Sequence, residues 1–339
     1  VTRGSRARAV LAALALGAVA WTLLSTARWV SRRGVPDPAS DLDVPRLFAK
    51  TELRWEELAR TPPTGVPILS YHYFREGLTA TRVLRVLGAV LLSMPLLPDK
   101  DYWTTPLPEF ERQMRWLHES GYRAITLDEL SAWMEGRAER PERAVVITID
   151  DGDESLVRFA VPVLRRYGLH ATLFLLTGRV GEKGWNDVDF TDWATLRALE
   201  REGVLRVESH THDMHTKRRL QGEAVPVFLL AARDAQGRIS GESPLARDLL
   251  ESRAAIRREL GHDCRYLAWP FGFGTAEVDS LAHALGYRRI LTLSPKRNLR
   301  DFRTAEEGHP SDALGRYSIT ARTSFRIFRL MVEGGRPTA

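Results

Sequence analysis

Two adjacent carboxylates, Asp150 and Asp151, close the apolar run from Ala144 to Ile149, and Gly152 follows at once. Carboxylates at the tip of a buried strand are costly unless paired, hydrogen-bonded or bound to a metal. If the strand continues through both, their side chains point to opposite faces and cannot share one job. One can hold a metal while the other faces the reacting water. A second polar cluster, Ser209-His210-Thr211-His212-Asp213-Met214-His215, follows another short apolar run. Imidazole and carboxylate together suit zinc, and also nickel, cobalt or iron. In an extended chain His210 and His212 face the same way. A turn after Thr211 instead lets His210 and His215 converge, with Asp213 placed to orient one ring. Two histidines and one aspartate leave coordination positions open, which marks a catalytic rather than a structural site. Taken alone, Asp-Asp-Gly is as well explained as a turn and helix cap; the histidines favour a metal.

A third segment, Leu267-Ala268-Trp269-Pro270-Phe271-Gly272, ends a further apolar run where the same rim should lie. Aromatic residues and glycine there suit a sugar-binding wall or a packed turn. Cys264 is the one cysteine, so an intrachain disulfide and a thiolate-rich zinc site are both excluded.

These residues need elements to position them. The chain has 339 residues, 44% apolar and 27% charged, which fits a folded protein. The net charge is +6, but acidic residues are interspersed with basic ones and no basic block runs into aromatics. A nucleic-acid partner is therefore not expected. From Val66 onward strands and helices alternate. Strands are expected at 66–74, 123–127, 144–149, 169–176, 204–208, 265–269, 287–293 and 317–319. Helices are expected at 108–119, 128–135, 192–202, 244–260, 276–285 and 324–332, with a further one after Gly152. That last helix carries Leu156, Phe159, Ala160, Val163, Leu164 and Tyr167 at helical spacing. Such alternation argues for parallel α/β architecture with a barrel as the leading form, although pattern alone does not separate a closed barrel from an open sheet. The stretch 217–243 reads as irregular, a part of the cleft wall.

Arg3, Arg6 and Arg8 precede an apolar run from Ala9 to Leu24, and Arg28, Arg32 and Arg33 follow it. Residues 1–33 thus read as an export signal kept as an N-terminal hydrophobic anchor helix. Proline-rich 34–65 reads as a linker and 66–332 as the catalytic domain. The apolar stretch 83–97 reads as a core helix or as a flap on the membrane or over the substrate. Together these place the protein in the cell envelope, membrane-anchored, with its catalytic domain outside the cytoplasm.

The three segments resemble the motifs of the polysaccharide deacetylases of carbohydrate esterase family 4, the NodB-homology domains. Thr148-Ile149-Asp150-Asp151-Gly152 is similar to the first motif, His210 to His215 to the second and Leu267 to Gly272 to the third. The resemblance runs from about Val66 to Leu330. It implies a distorted (β/α)7 barrel and a divalent metal, most often zinc. It assigns Asp150 as catalytic base and Asp151, His210 and His215 as metal ligands, with His212 an extra residue near the site. The five-residue step from His210 to His215, the long insert after it and Leu314-Gly315-Arg316 are similar to the branch that deacetylates poly-β-1,6-N-acetylglucosamine. In two places the chain departs from the family pattern. Ala268 stands where many members have an arginine that braces the base. No residue matches their late general-acid histidine, His309 being the nearest in sequence.

The implied activity is hydrolysis of an N-acetyl group on a polymeric amino sugar. Asp213, Trp269, Pro270, Phe271, His309 and Arg316 are candidates for contact with the polysaccharide or for support of the site, with Trp185 and Trp269 expected to stack on sugar rings. Peptidoglycan, chitin oligomers or another acetylated surface glycan is the alternative substrate. A catalytically weakened glycan-binding protein of the same fold is the alternative role.

Overall fold

The computed structural model describes residues 64–76, 99–140, 142–220, 223–234, 236–294, 298 and 313–334. In chain order its first elements are β1 (Ile68–Tyr71), β2 (Tyr73–Arg75), α1 (Asp99–Tyr102), β3 (Thr104–Pro106), α2 (Leu107–Glu119), β4 (Arg123–Ala124), α3 (Leu127–Met134) and β5 (Ala144–Asp151). A π-helical turn, Leu156–Ala160, leads into α4 (Val161–Arg166), followed by β6 (Ala171–Leu175), α5 (Trp193–Arg201) and β7 (Leu205–Ser209). Next come β8 (Lys217–Leu220), β9 (Glu223–Pro226), α6 (Val227–Ala231), α7 (Pro244–Leu260) and β10 (Tyr266–Ala268). The described chain closes with α8 (Ala276–Ala284), β11 (Arg289–Thr292), β12 (Leu314–Gly315), β13 (Tyr317–Ser318) and α9 (Phe325–Glu333).

All eight residues of β5 are buried. Its β-branched run suits a strand covered on both faces. Val145, Ile147 and Ile149 join the larger apolar cluster with helix residues such as Phe110 and Leu164. Val146 joins a second cluster with Phe174, Leu291 and Leu314 from other strands, which fills the interior of the sheet. That alternation puts Thr148 and Asp150 on the interior face.

The main sheet runs β12-β11-β10-β7-β6-β5-β1-β13, with β4 added beside β5. Its pairings are parallel. The two ends of this order are neighbours in sequence, since Arg316 alone separates Gly315 from Tyr317. β12 pairs with β11 and β13 pairs with β1, so one bent stretch of chain joins both edges and closes the ring. With β12 and β13 counted as one strand, this is the expected distorted seven-stranded parallel barrel.

Local chemistry explains the element ends. α7 begins where the Ser243 side chain accepts from the Ala246 N–H, and it ends at Gly261 in the left-handed conformation. The strand expected at 123–127 stops at Ala124, because Thr126 and Glu129 form a capping box that turns the chain into α3. The stretch expected to be irregular holds the β8–β9 ribbon and α6. Arg218, Arg219 and Leu220 are exposed, so this ribbon lacks the apolar alternation that announces a half-buried strand.

The membrane expectations need correction. Among the described residues no helix is long and apolar enough to cross a membrane. The stretches 1–33 and 83–97, on which the anchor, the membrane partner and the membrane-anchored placement all rested, lie outside the described residues. Among the described residues the fold is the barrel without a membrane helix.

Gly152 has φ +105°, and a Cβ there would stand 2.5 Å from Leu175 Cδ1. Gly152→Ala is expected to destabilise the protein by about 1–3 kcal/mol, from backbone strain and overpacking together. A lowered midpoint of urea unfolding would show it; an unchanged midpoint would mean that the strand end relaxes freely.

Candidate metal centre

Three strand ends build the centre, all at the C-terminal rim of the barrel. β5 delivers Asp150 and Asp151, the chain just beyond β7 delivers His210 to His215, and the chain just beyond β10 delivers Trp269 to Gly272. Asp151, Thr211 and Phe271 have φ values of 72°, 76° and 61°. Left-handed backbone is uncommon for residues other than glycine, and for threonine especially. At each of these points the chain leaves the strand direction sharply.

The reversal at Asp151 swings its carboxylate toward the histidines. Donor atoms of Asp151, His210 and His215 all lie within 4.8 Å of one another. Asp151 Oδ1 is 3.6 Å from His210 Nε2 and 3.7 Å from His215 Nε2. The other oxygen, Oδ2, accepts the Tyr73 hydroxyl at 2.5 Å. Oδ1 is buried and has no hydrogen-bond partner among the described residues. A buried carboxylate oxygen left open between two imidazole nitrogens is the cradle a cation needs. His210 Nδ1 lies 2.8 Å from the Ala268 carbonyl, which can only accept. The ring proton therefore sits on Nδ1, and the Nε2 lone pair faces Asp151. Burial drives the His210 pKa down to about 4, outweighing the attraction of Asp150 and Asp151. The ring is thus neutral and ready to ligate near pH 7. The donor set and spacing fit one divalent ion bonded at about 2 Å.

Asp150 stands apart from this triad. Its carboxylate is bound bidentately by Arg316, Nη1 to Oδ1 at 2.6 Å and Nη2 to Oδ2 at 2.8 Å. Arg316 is itself wholly buried and also donates to Thr148 Oγ1 at 3.2 Å and the Thr292 carbonyl at 3.4 Å. His72 Nε2 is 3.8 Å from Asp150 Oδ2, and its ring lies 4.4 Å from that of Trp103. Burial alone would raise the Asp150 pKa; Arg316, with His210 and His72, overrides it and holds the carboxyl at about 2.

The other sequence candidates have settled places. His212 turns to Thr177, its Nδ1 3.0 Å from the Thr177 hydroxyl, so it takes no part in the triad. Asp213 pairs with Arg179. Trp269 is wholly buried, stacked on Phe228 at 4.8 Å and donating to Asp279 at 2.6 Å. The expectation of a sugar-stacking role for Trp269 is therefore corrected: the residue belongs to the core and has no open face. Pro270 is buried beside it. Phe271 lies 4.5 Å from the His215 ring, and the Lys217 ammonium stands 4.5 Å over its centroid. One face of Trp185 is covered by the Arg179 guanidinium at 4.8 Å. His309 lies outside the described residues. The sequence reading left out Tyr73 and gave His72 no role at the site. Their one signal was a position at the end of the apolar run 66–74, which the β1–β5 pairing brings beside Asp150 and Asp151.

Comparison with known proteins agrees with this geometry. A family model described as polysaccharide deacetylase matches residues 137–290. Over this part the chain is similar to the polysaccharide deacetylase family. It is 28% identical over 164 residues to the poly-β-1,6-N-acetyl-D-glucosamine N-deacetylase of Staphylococcus aureus, covering 48% of this chain and 52% of that one. The same-named protein of Staphylococcus epidermidis is 28% identical over 173 residues, covering 51% and 55%. The chain thus spans about half the length of the curated relatives it matches. Among solved structures, IcaB from Ammonifex degensii superposes with a TM-score of 0.61 at 26% identity, covering 79% of this chain and 97% of that one. The BpsB deacetylase domain from Bordetella bronchiseptica shares the fold, with a TM-score of 0.53 at 24% identity over 76% of this chain and 96% of that one.

The paired Asp150 makes stability depend on acid in a defined direction. Its folded pKa lies below the ordinary 3.8, so the stabilisation is complete above that value and is lost as pH falls toward about 2. The contribution is about 2 kcal/mol. Arg316→Met leaves the carboxylate buried and unpaired, which should cost about 3–5 kcal/mol near neutral pH. In that variant the dependence reverses, because acid then removes an unfavourable charge. Urea unfolding midpoints from pH 3 to 7 test both; parallel curves for the two proteins would rule the pairing out.

Proposed function

We propose that the protein is a zinc-dependent deacetylase that hydrolyses the N-acetyl groups of poly-β-1,6-N-acetylglucosamine. The observation that carries this reading is the pairing of a three-donor metal centre with a separate buried carboxylate held by Arg316. The named activity of the staphylococcal relatives supports the choice of polymer. Two imidazoles and one carboxylate with open positions favour zinc. Bound there, the ion supplies Lewis acidity, acidifying water and polarising the acetyl carbonyl.

The residues of the chain divide the remaining work. Asp151, His210 and His215 hold the ion. Asp150 takes the proton of the attacking water as general base. Arg316 keeps Asp150 ionised and in one orientation, so the base is aimed before substrate arrives. A carboxyl with a pKa near 2 is a weak base, and it serves here only because the water it meets is acidified. As the C–N bond breaks, the departing nitrogen needs a proton. His72 stands next to Asp150 at this rim, and its Nδ1 has no partner among the described residues. Burial lowers the His72 pKa, so the neutral ring first takes up the proton that Asp150 draws from water. We assign His72 to pass it to the nitrogen, and the second proton of the attacking water follows, so that water and amide become acetate and a free ammonium and both side chains return to their starting states.

Metal content and acetate release test the assignment, with poly-β-1,6-N-acetylglucosamine, peptidoglycan and chitin oligomers as parallel substrates. Acetate is expected from the first alone; acetate only from another glycan would keep the chemistry and overturn the polymer. Asp150→Asn is expected to retain zinc and lose about 10²–10⁴-fold in kcat. Loss of zinc in that variant would refute the division of roles. His72→Gln should also keep zinc and lower kcat, whereas unchanged kcat would remove it from the mechanism.

A further inference from the structure

His210 and His215 are held in place by different means. His210 follows β7 directly. Its N–H donates to the Leu175 carbonyl at 2.9 Å and its ring is fixed by Ala268. His215 stands at the end of an irregular segment that leaves the rim at left-handed Thr211. Its ring lies against Asp151, Phe271 and His210, so its position depends on how residues 211–214 fold.

Besides its contacts with Thr177 and Arg179, that segment is held by one side chain from a distant helix. Asp248 lies in the second turn of α7, behind the loop. Its Oδ1 accepts the His212 N–H and its Oδ2 accepts the Asp213 N–H, both at 2.8 Å. Bonds from peptide N–H groups to an ionised carboxylate are among the stronger hydrogen bonds, and two in sequence fix a peptide plane as well as a point. The opposite edge of the loop is pinned by backbone bonds from Thr177 N–H to the Thr211 carbonyl at 3.3 Å and from Gly178 N–H to the His212 carbonyl at 2.8 Å. The loop is therefore gripped from two sides. The Asp248 side is the one built from a single replaceable carboxylate.

We propose that Asp248 is a positioning residue for the metal centre. By clamping the His212 and Asp213 N–H groups it sets where the His215 imidazole stands relative to Asp151 and His210, and hence how tightly the ion is held. The inference rests on the metal-site reading alone and not on the substrate or the hydrolytic step. Its test uses no substrate, so failure of the deacetylase assignment would leave it standing.

The test is D248N against Glu251→Gln, an exposed position on the same helix where the same unit of charge is removed. Zinc affinity would be measured by competition with a chromogenic chelator, and the cobalt-substituted protein by its visible absorption. In D248N one N–H meets the new amide NH₂ instead of an oxygen. The expected result is zinc affinity lowered about 10–100-fold and an altered cobalt spectrum, with circular dichroism unchanged. Glu251→Gln should match the parent in both. Parental affinity and spectrum in folded D248N would overturn the proposal. So would an equal loss in Glu251→Gln, since the effect would then be charge acting at a distance. If D248N does not fold, D248S, which admits water to both N–H groups, is measured with the same expectations.

Discussion

The buried pair of Asp150 and Arg316 is the interaction on which the rest of this structure depends. Either charge alone in the barrel interior would be strongly unfavourable, because desolvating a single charge there costs several kcal/mol. Together, joined by two short bonds, they are admissible. The arginine is also the residue between β12 and β13, which pair with opposite edges of the sheet. Closing the barrel and bracing the carboxylate are therefore one event. A barrel left open at this seam would take the guanidinium away from Asp150 and leave that carboxylate without its partner.

This arrangement also accounts for Ala268. Where the family resemblance places an arginine, Ala268 is small and buried, and its carbonyl orients His210. The brace reaches the same carboxylate from another strand, on the same interior face as Thr148. A catalytic arrangement of this kind is defined by which charges meet, not by which strand supplies them.

Strain is concentrated where function needs it. Asp151, Thr211 and Phe271 each take left-handed backbone at a strand end, and each carries or borders a donor of the triad. Such conformations persist only when surrounding structure over-determines them. Here the surroundings are the fully buried β5, the Thr177–Gly178 edge and α7. Aromatic bulk beneath the rim serves the same end. Trp269, Phe228 and Asp279 form a packed support below Phe271, which lies against His215.

Much of this was legible in the residue order. The β-branched run of β5, the helical spacing after it, the Ser243 and Gly261 boundaries of α7 and the grouping of Asp150, Asp151, His210 and His215 are local patterns, and local patterns survive in sequence. The β8–β9 ribbon was hidden because its exposed arginines break the alternation that marks a strand. Trp269 read as a rim aromatic because a residue type does not say which way its ring turns. Tyr73 and His72 were beyond reach as site residues, and Arg316 was a candidate without a known partner, since contacts across about 80 to 170 positions exist only once parallel strands set their register. The sequence by itself determined the chemical groups and the strand ends that carry them. Only the tertiary structure decided which groups meet, because a single closed register brings β1, β5, β7 and the β12–β13 seam to one rim.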